Sequence, residues 1–283
     1  MIYGPDIPLY LRLYLTLNSR FPLPYSPVGA SPERNDSMAV DDAKKFLDGV
    51  AKAQQITWMD ITGGEPFLHY DEMIETLEYA KKKGIPGKIT TSAFWASDAQ
   101  KSNWIIQKLK DAGADRMEFR FDALYNKHVP IDRIKNASLT ARQKGSVVQI
   151  ISYFLNPAGE VCADKGPYNG ETTNETDRKT VELQNALLEL LPKRCIEWER
   201  IRLDSANVEI KEMLGDKFND AFTASEKAFS ACLNSNGKIN TSVHVDIMPN
   251  GETVINGRRI GNAREKEIDI LLRDFLIESR LSF

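Results

Sequence analysis

Few side chains in this sequence are placed to do chemistry, and most of them stand where an apolar run ends. The plainest case is Ile61-Thr62-Gly63-Gly64-Glu65-Pro66-Phe67-Leu68. Paired glycines at a strand exit let the backbone approach a ligand closely, because no Cβ intervenes. Glu65 sets a negative charge beside that backbone, which suits a cation such as an ammonium group. Pro66 fixes φ and stiffens the corner. The plainer reading is a tight strand-to-helix turn with a solvated glutamate. A second group, Arg120-Phe121-Asp122, closes another apolar run, and His128 follows in the next loop. A guanidinium there holds a carboxylate by a bidentate contact, pairs with Glu118 or Asp122, or lies in solvent. The only histidines are His69, His128 and His244, so acid–base candidates are few. His69 reads as a cap or surface residue, His244 as structural, and His128 and Asp122 as the candidates near the expected mouth.

Alternating strands and helices must position these groups. Residues 9–15 alternate and read as a strand. Residues 16–37 carry Pro22, Pro24, Pro27 and Pro32 and read as a long loop, functional or mobile. Helical spacing over 38–54 is followed by a strand at 56–61. A helix at 70–83 has Asp71 and Glu72 early and Lys81 to Lys83 late, which suits its dipole. Next come a strand at 88–91, a helix to 112 capped by Ser97 or Asp98, a strand at 117–121, a helix at 131–144 and a strand at 147–154. A polar loop (156–176), a helix (177–191) and a strand (195–203) complete six units. The expected fold is α/β, an open, partial (β/α)6 TIM-like barrel over residues 1–207 with its site at the carboxyl ends of the strands. Residues 208–283 form a small extension. Strands at 243–247 and 253–255 flank the turn signal Pro249-Asn250-Gly251, and a helix at 265–281 closes the chain against the barrel.

The 283 residues are 42% hydrophobic and 27% charged, with a net charge of −3 and a pI near 5.8. Nothing there suggests a nucleic-acid or membrane footprint. Pro5, Asp6, Pro8 and Arg12 interrupt the apolar start and argue against a signal peptide. No run approaches the ~18 apolar residues of a membrane span. Cys162, Cys195 and Cys232 lie far apart, with no metal-ligand spacing. A reduced, cytoplasmic protein is expected.

The Gly63-Gly64-Glu65-Pro66 string resembles the GGEP motif of radical SAM enzymes, which holds the amino group of S-adenosylmethionine (SAM). The similarity extends along nearly the whole chain. Residues 89–95, with Thr91 and Ser92, look like the third-strand element, where an Asn often stands at the position of Ser92. Phe119-Arg120-Phe121-Asp122 looks like the fourth-strand SxD element, with Arg120 in place of Ser. The tail resembles the twitch extension, with Cys232, the hairpin and residues 260–265 in the usual order. The resemblance implies a cofactor site at Gly63, Gly64, Glu65, Pro66, Thr91, Ser92 and Arg120. The family's CxxxCxxC signature is broken. Its three positions are Ser19, Leu23 and Ser26, and Asn256 stands where a twitch cysteine is expected. Serine is a poor ligand for an iron–sulfur cluster and leucine is none. No [4Fe–4S] cluster is expected at these positions, and no other metal site.

Without a cluster there is no electron to cleave SAM reductively. The first expectation is therefore polar chemistry, a group transfer from the sulfonium or a lyase-type cleavage of SAM. Arg120 or Arg20 would hold the carboxylate, and Tyr25, His128 and Asp122 would supply proton chemistry. Trp95, Phe94 and Tyr153 would line the pocket or pack in the core. The alternatives are a scaffold that kept the fold without catalysis, or a radical enzyme with unusual cluster ligation. A small-molecule or peptide substrate and a partner protein fit these readings; nucleic acid and membrane do not.

Overall fold

The structure is a computed structural model; it describes residues 8–22, 26, 28–154, 175–191, 196–202, 243–256 and 258–280. β1 (Leu9–Thr16) shows why the sheet has two unlike faces. Leu9, Leu11, Leu13 and Leu15 are fully buried in the main core, whereas Tyr10 and Arg12 alternate with them on the other face. α1 (Val40–Ala53) lays Ala43, Phe46, Leu47 and Val50 into the same core. β2 (Ile56–Gly63) follows, then a 3-10 turn (Pro66–His69) and α2 (Tyr70–Lys82). β3 (Gly87–Thr91), α3 (Ala99–Ala112) and β4 (Ala114–Arg120) continue the alternation. Asp98 caps α3 by accepting from the Lys101 amide. A short α4 (Ala123–Asn126), α5 (Ile131–Gln143), β5 (Val147–Phe154), α6 (Glu175–Leu190) and β6 (Ile196–Arg202) complete the six units.

One nine-stranded sheet results, in the order β6-β5-β4-β3-β2-β1-β7-β8-β9. The first six strands are parallel neighbours, and helices cover their apolar face. This is the expected open, partial α/β barrel. β7 (Val243–Ile247) adds in parallel to β1, and β8 (Glu252–Ile255) returns antiparallel as the Asn250-Gly251 signal requires. β9 (Arg258–Asn262) is an additional strand that residues 256–262 did not announce, since two arginines and two glycines interrupt any alternation. α7 (Ile268–Arg280) closes the chain, and its Ile268 packs on Gly49 of α1. The tail thus extends the barrel's own sheet. The division at 207/208 lies outside the described residues, as do Cys162, Cys195 and Cys232. Among the described residues no helix is long and apolar enough to cross a membrane.

Candidate active site

The carboxyl ends of β1 to β4 stand side by side, and the turn after β2 is built against the exit of β1. Gly63 has φ +132°, and a Cβ there would lie 2.1 Å from the Thr16 carbonyl oxygen. A Cβ on Gly64 would lie 1.9 Å from the Asn18 carbonyl oxygen. The Gly64 amide donates to Thr16 O and the Glu65 amide to Asn18 O, each at 2.8 Å. The close approach that the glycines permit is, within the chain itself, to the backbone after β1.

Glu65 is buried rather than solvated. Its Oε1 accepts from the Thr91 hydroxyl at 2.7 Å and weakly from the Phe67 amide at 3.4 Å. Its Oε2 accepts from the Ser92 amide at 3.0 Å and the Ser92 hydroxyl at 2.5 Å. Four donors occupy the two oxygens, so the carboxylate braces the turn to the end of β3. Burial pushes its pKa up, and the hydrogen bonds from Ser92, Thr91 and Phe67 pull the other way. Thr91 and Ser92, expected at a cofactor, are here the partners of Glu65. Thr91 Oγ1 also accepts from the Ala93 amide and from Trp95 Nε1. Ala93 itself is fully buried at φ +57°, a left-handed conformation unusual for alanine. Pro66 is buried at the first position of the 3-10 turn.

Arg120 ends β4 on the face opposite the helices. Its guanidinium reaches past β3 to Thr62 of β2, donating from Nη2 to Oγ1 at 3.1 Å. Nη1 donates to the Tyr125 hydroxyl at 3.3 Å. Neither Glu118 nor Asp122 forms an ion pair with it; Glu118 pairs with Lys88, and Asp122 accepts only backbone amides. Among the described residues Arg120 is thus a partly buried cation held by two neutral hydroxyls, beside the residue that precedes Gly63. Burial opposes its charge, yet the facing phenols of Tyr125 and Tyr153, with Glu118, raise its pKa. Spare N–H donors on a planar fork suit an incoming carboxylate.

The acid–base candidates are placed differently. Asp122 caps α4, its Oδ1 accepting from the Leu124 and Tyr125 amides at 2.8 and 3.0 Å, and its Oδ2 takes the Tyr153 amide at 3.4 Å. Burial lifts it to about 6 against those bonds. It holds the β4 exit in shape. His128 is exposed and stacks on Phe21, ring centroids 4.7 Å apart and planes nearly parallel. Tyr25 and Leu23 lie outside the described residues. Arg20 is exposed and lies over the Phe94 ring at 4.5 Å. Trp95 is buried, stacked on Phe67.

The loop after β1 is tied down locally. The Ser19 hydroxyl donates to Phe21 O at 2.7 Å, and Ser26 Oγ accepts from the Ala30 amide at 3.0 Å. Both hydroxyls are buried and already engaged. With Leu23 as the third position, this donor set does not fit an iron–sulfur cluster. Among the described residues no group of three or more His, Cys, Asp or Glu side chains could hold a metal ion.

Sequence reasoning missed a row of charges on the inner face. Asp246 (β7), Arg12 (β1), Asp60 (β2), Lys88 (β3) and Glu118 (β4) alternate in sign across five adjacent strands. Lys88 sits 3.1 Å from Asp60 and 2.5 Å from Glu118, and the Thr90 hydroxyl lies between the same carboxylates. Part of the signal was available: Arg12, Asp60 and Asp246 each stand between apolar residues, as in Leu11-Arg12-Leu13 and Met59-Asp60-Ile61, whereas Glu118 shares its strand with Asp115, Arg116 and Arg120.

Fold and mouth define an open α/β partial barrel whose candidate ligand group is a cation at the carboxyl ends of parallel strands. No protein-family model and no curated protein matches the sequence. Among solved structures the chain is similar to Streptococcus suis SuiB bound to precursor peptide SuiA, with 15% identity and a TM-score of 0.59 over 94% of this chain. It spans 64% of the SuiB chain. It also aligns with methylornithine synthase (PylB), at 14% identity over 81% of this chain and 64% of that one, with a TM-score of 0.47. BtrN in complex with AdoMet and 2-DOIA aligns at 10% identity over 94% of this chain and 82% of that one, with a TM-score of 0.43. The SuiB match shows a shared fold.

Proposed function

We propose that this chain is a SAM-binding protein of radical-SAM-like fold that works without a cluster at residues 19, 23 and 26. The observation that carries this reading is Arg120, a cation with spare donors at the mouth, in place of the family's usual serine. A SAM carboxylate held there would face the Gly63-Gly64 turn. Since Glu65 Oε1 and Oε2 are occupied, backbone carbonyls of the turn are the acceptors left for the ammonium. SAM when bound supplies a sulfonium with three electrophilic carbons. The chain's part is to orient it and exclude water, which suffices for polar transfer or cleavage. A peptide is the substrate we would try first, because SuiB was solved with one; a cytoplasmic setting belongs to the same proposal.

A specific observation favours a second reading, a non-catalytic scaffold. Gly63, Gly64 and Glu65 are all satisfied within the protein, so folding alone explains that turn. Incubation with SAM, followed by chromatography, separates the two. Release of methylthioadenosine, S-adenosylhomocysteine or methionine supports the enzyme and says which bond breaks. Intact SAM after long incubation with candidate acceptors supports the scaffold.

A further inference from the structure

The exit of β3 carries a feature that neither the Gly63-Gly64 turn nor Arg120 uses. Phe94 is half-buried between the buried Ala93 and Trp95, on a segment that Ala93 turns at φ +57°. A left-handed alanine is strained and persists only where its surroundings impose it, often beside a ligand. Two arginines from distant parts of the chain meet on this residue. Arg20, after β1, is exposed and lies over the Phe94 ring, its guanidinium carbon 4.5 Å from the centroid. Arg133, in the first turn of α5, donates from Nη1 to the Phe94 carbonyl oxygen. Asn136, farther along α5, reaches Ala96 O from Nδ2 at 3.5 Å, so α5 holds the segment at two points.

Among the described residues neither guanidinium has a carboxylate partner. Asp98, at the start of α3, is engaged by the Lys101 amide and the Ser97 hydroxyl, and Asp132, beside Arg133 in the chain, pairs with neither arginine. The N–H groups of Arg20, and those on Nε and Nη2 of Arg133, are therefore left for a ligand. Phe21, the residue after Arg20, stacks on the exposed His128, and the exposed Lys127 next to it also lacks an ion pair. The whole chain has a net charge of −3, so this cationic rim is a local feature. Unpaired guanidinium forks suit carboxylates, and two that are already held by a ring and by a carbonyl lose little freedom when a ligand arrives. The ring face under Arg20 is taken, so it offers no platform for a nucleobase. Exposed forks beside a half-buried ring fit an acidic side chain of a peptide crossing the mouth.

We propose that Arg20 and Arg133, set about Phe94 at the exit of β3, form a subsite for an acidic side chain of a peptide. The proposal rests on the peptide reading of the site above and narrows it to acidic peptides. It requires no SAM, so the test is made without SAM and stays readable if the SAM site fails.

The probes are a glutamate pentapeptide and a glutamine pentapeptide, both capped at their ends, and inorganic phosphate. Each is titrated into the full-length chain at equal ionic strength, and NMR follows the Nε–H resonances of Arg20 and Arg133. The glutamate peptide should move both resonances saturably, with the glutamine peptide binding at least about tenfold more weakly, the loss of a charge-assisted contact. Arg20→Met keeps an apolar cover on Phe94 and should weaken the glutamate peptide by about tenfold, as should Arg133→Met. Should Arg133→Met fail to fold, Arg20→Met decides, because that side chain is exposed. Equal affinity for the two peptides, unmoved arginine resonances, or unchanged affinity in Arg20→Met would overturn the subsite. Phosphate binding as tightly as the glutamate peptide would overturn it too, marking a general anion patch.

Discussion

Replacing Gly64 by alanine should unfold this protein at a markedly lower temperature with no ligand present. A Cβ at that position would lie 1.9 Å from the Asn18 carbonyl oxygen, 2.4 Å from its carbon and 3.0 Å from the Ser19 nitrogen. All three are backbone atoms, so no side-chain rotation relieves the contact. The segment after β1 must move away, stretching the bonds from the Gly64 and Glu65 amides to Thr16 and Asn18. Each is worth about 1 kcal/mol, and residual overpacking adds about 1–3 kcal/mol. The total is roughly 3–5 kcal/mol, or a fall of roughly 6–20 °C for a chain of this size. Gly84→Ala is the control. Gly84 also has a positive φ, +74°, but nothing lies within 4 Å of its missing Cβ, so only the backbone strain of about 1 kcal/mol applies. Circular dichroism melts of the two variants make the comparison. If Gly64→Ala melts within a couple of degrees of Gly84→Ala and loses only ligand binding, the glycines serve a ligand and the packing argument is wrong.

Three further outcomes are expected. Arg120→Met should weaken SAM binding by about 10- to 100-fold, the loss of charge-assisted bonds to a carboxylate, with Arg120→Lys intermediate; unchanged affinity in calorimetry would remove Arg120 from the site. Glu65→Gln puts an amide nitrogen against Ser92 or Thr91 donors and should cost about 2–3 kcal/mol in denaturant titrations, whereas a neutral effect would mean the carboxylate is not the brace described. Asp122 has a folded pKa of about 6 against 3.8 unfolded, so its contribution is greatest below pH 4, declines as pH rises toward 6 and is constant above, by roughly 3 kcal/mol. Asn at 122 still caps but does not titrate, so its stability relative to the parent should climb between pH 4 and 6; a pH-independent difference would contradict the burial argument.

The barrel was legible in the sequence because its strands are short apolar runs alternating with amphipathic helices. Residues 147–154 and 243–247 read as strands with the bounds the structure shows. The alternation argued for parallel βαβ units, but the pairing of β7 with β1 was not expected. What escaped was either short or non-local. α4 spans only Ala123–Asn126, and Asp122 drew attention as a base although it stands as a helix cap. β9 carries Arg258, Arg259 and Gly261, which hide its pairing. The site was legible as a place but not as a set of contacts. Gly63 and Gly64 show that something must come close, but Thr16 and Asn18 are distant in the chain. Arg120 shows a cation at a strand end, but its reach to Thr62 depends on the stacking of β2, β3 and β4. The charged row needed the strand register before its members became neighbours.

The central claim is a SAM site that stands without a cluster, and isothermal calorimetry with SAM on protein shown to contain no iron tests it most directly. Saturable binding of one SAM per chain, weakened in Arg120→Met, is the predicted result. An absence of binding at millimolar SAM, or affinity that appears only after iron and sulfide are incorporated, would contradict it.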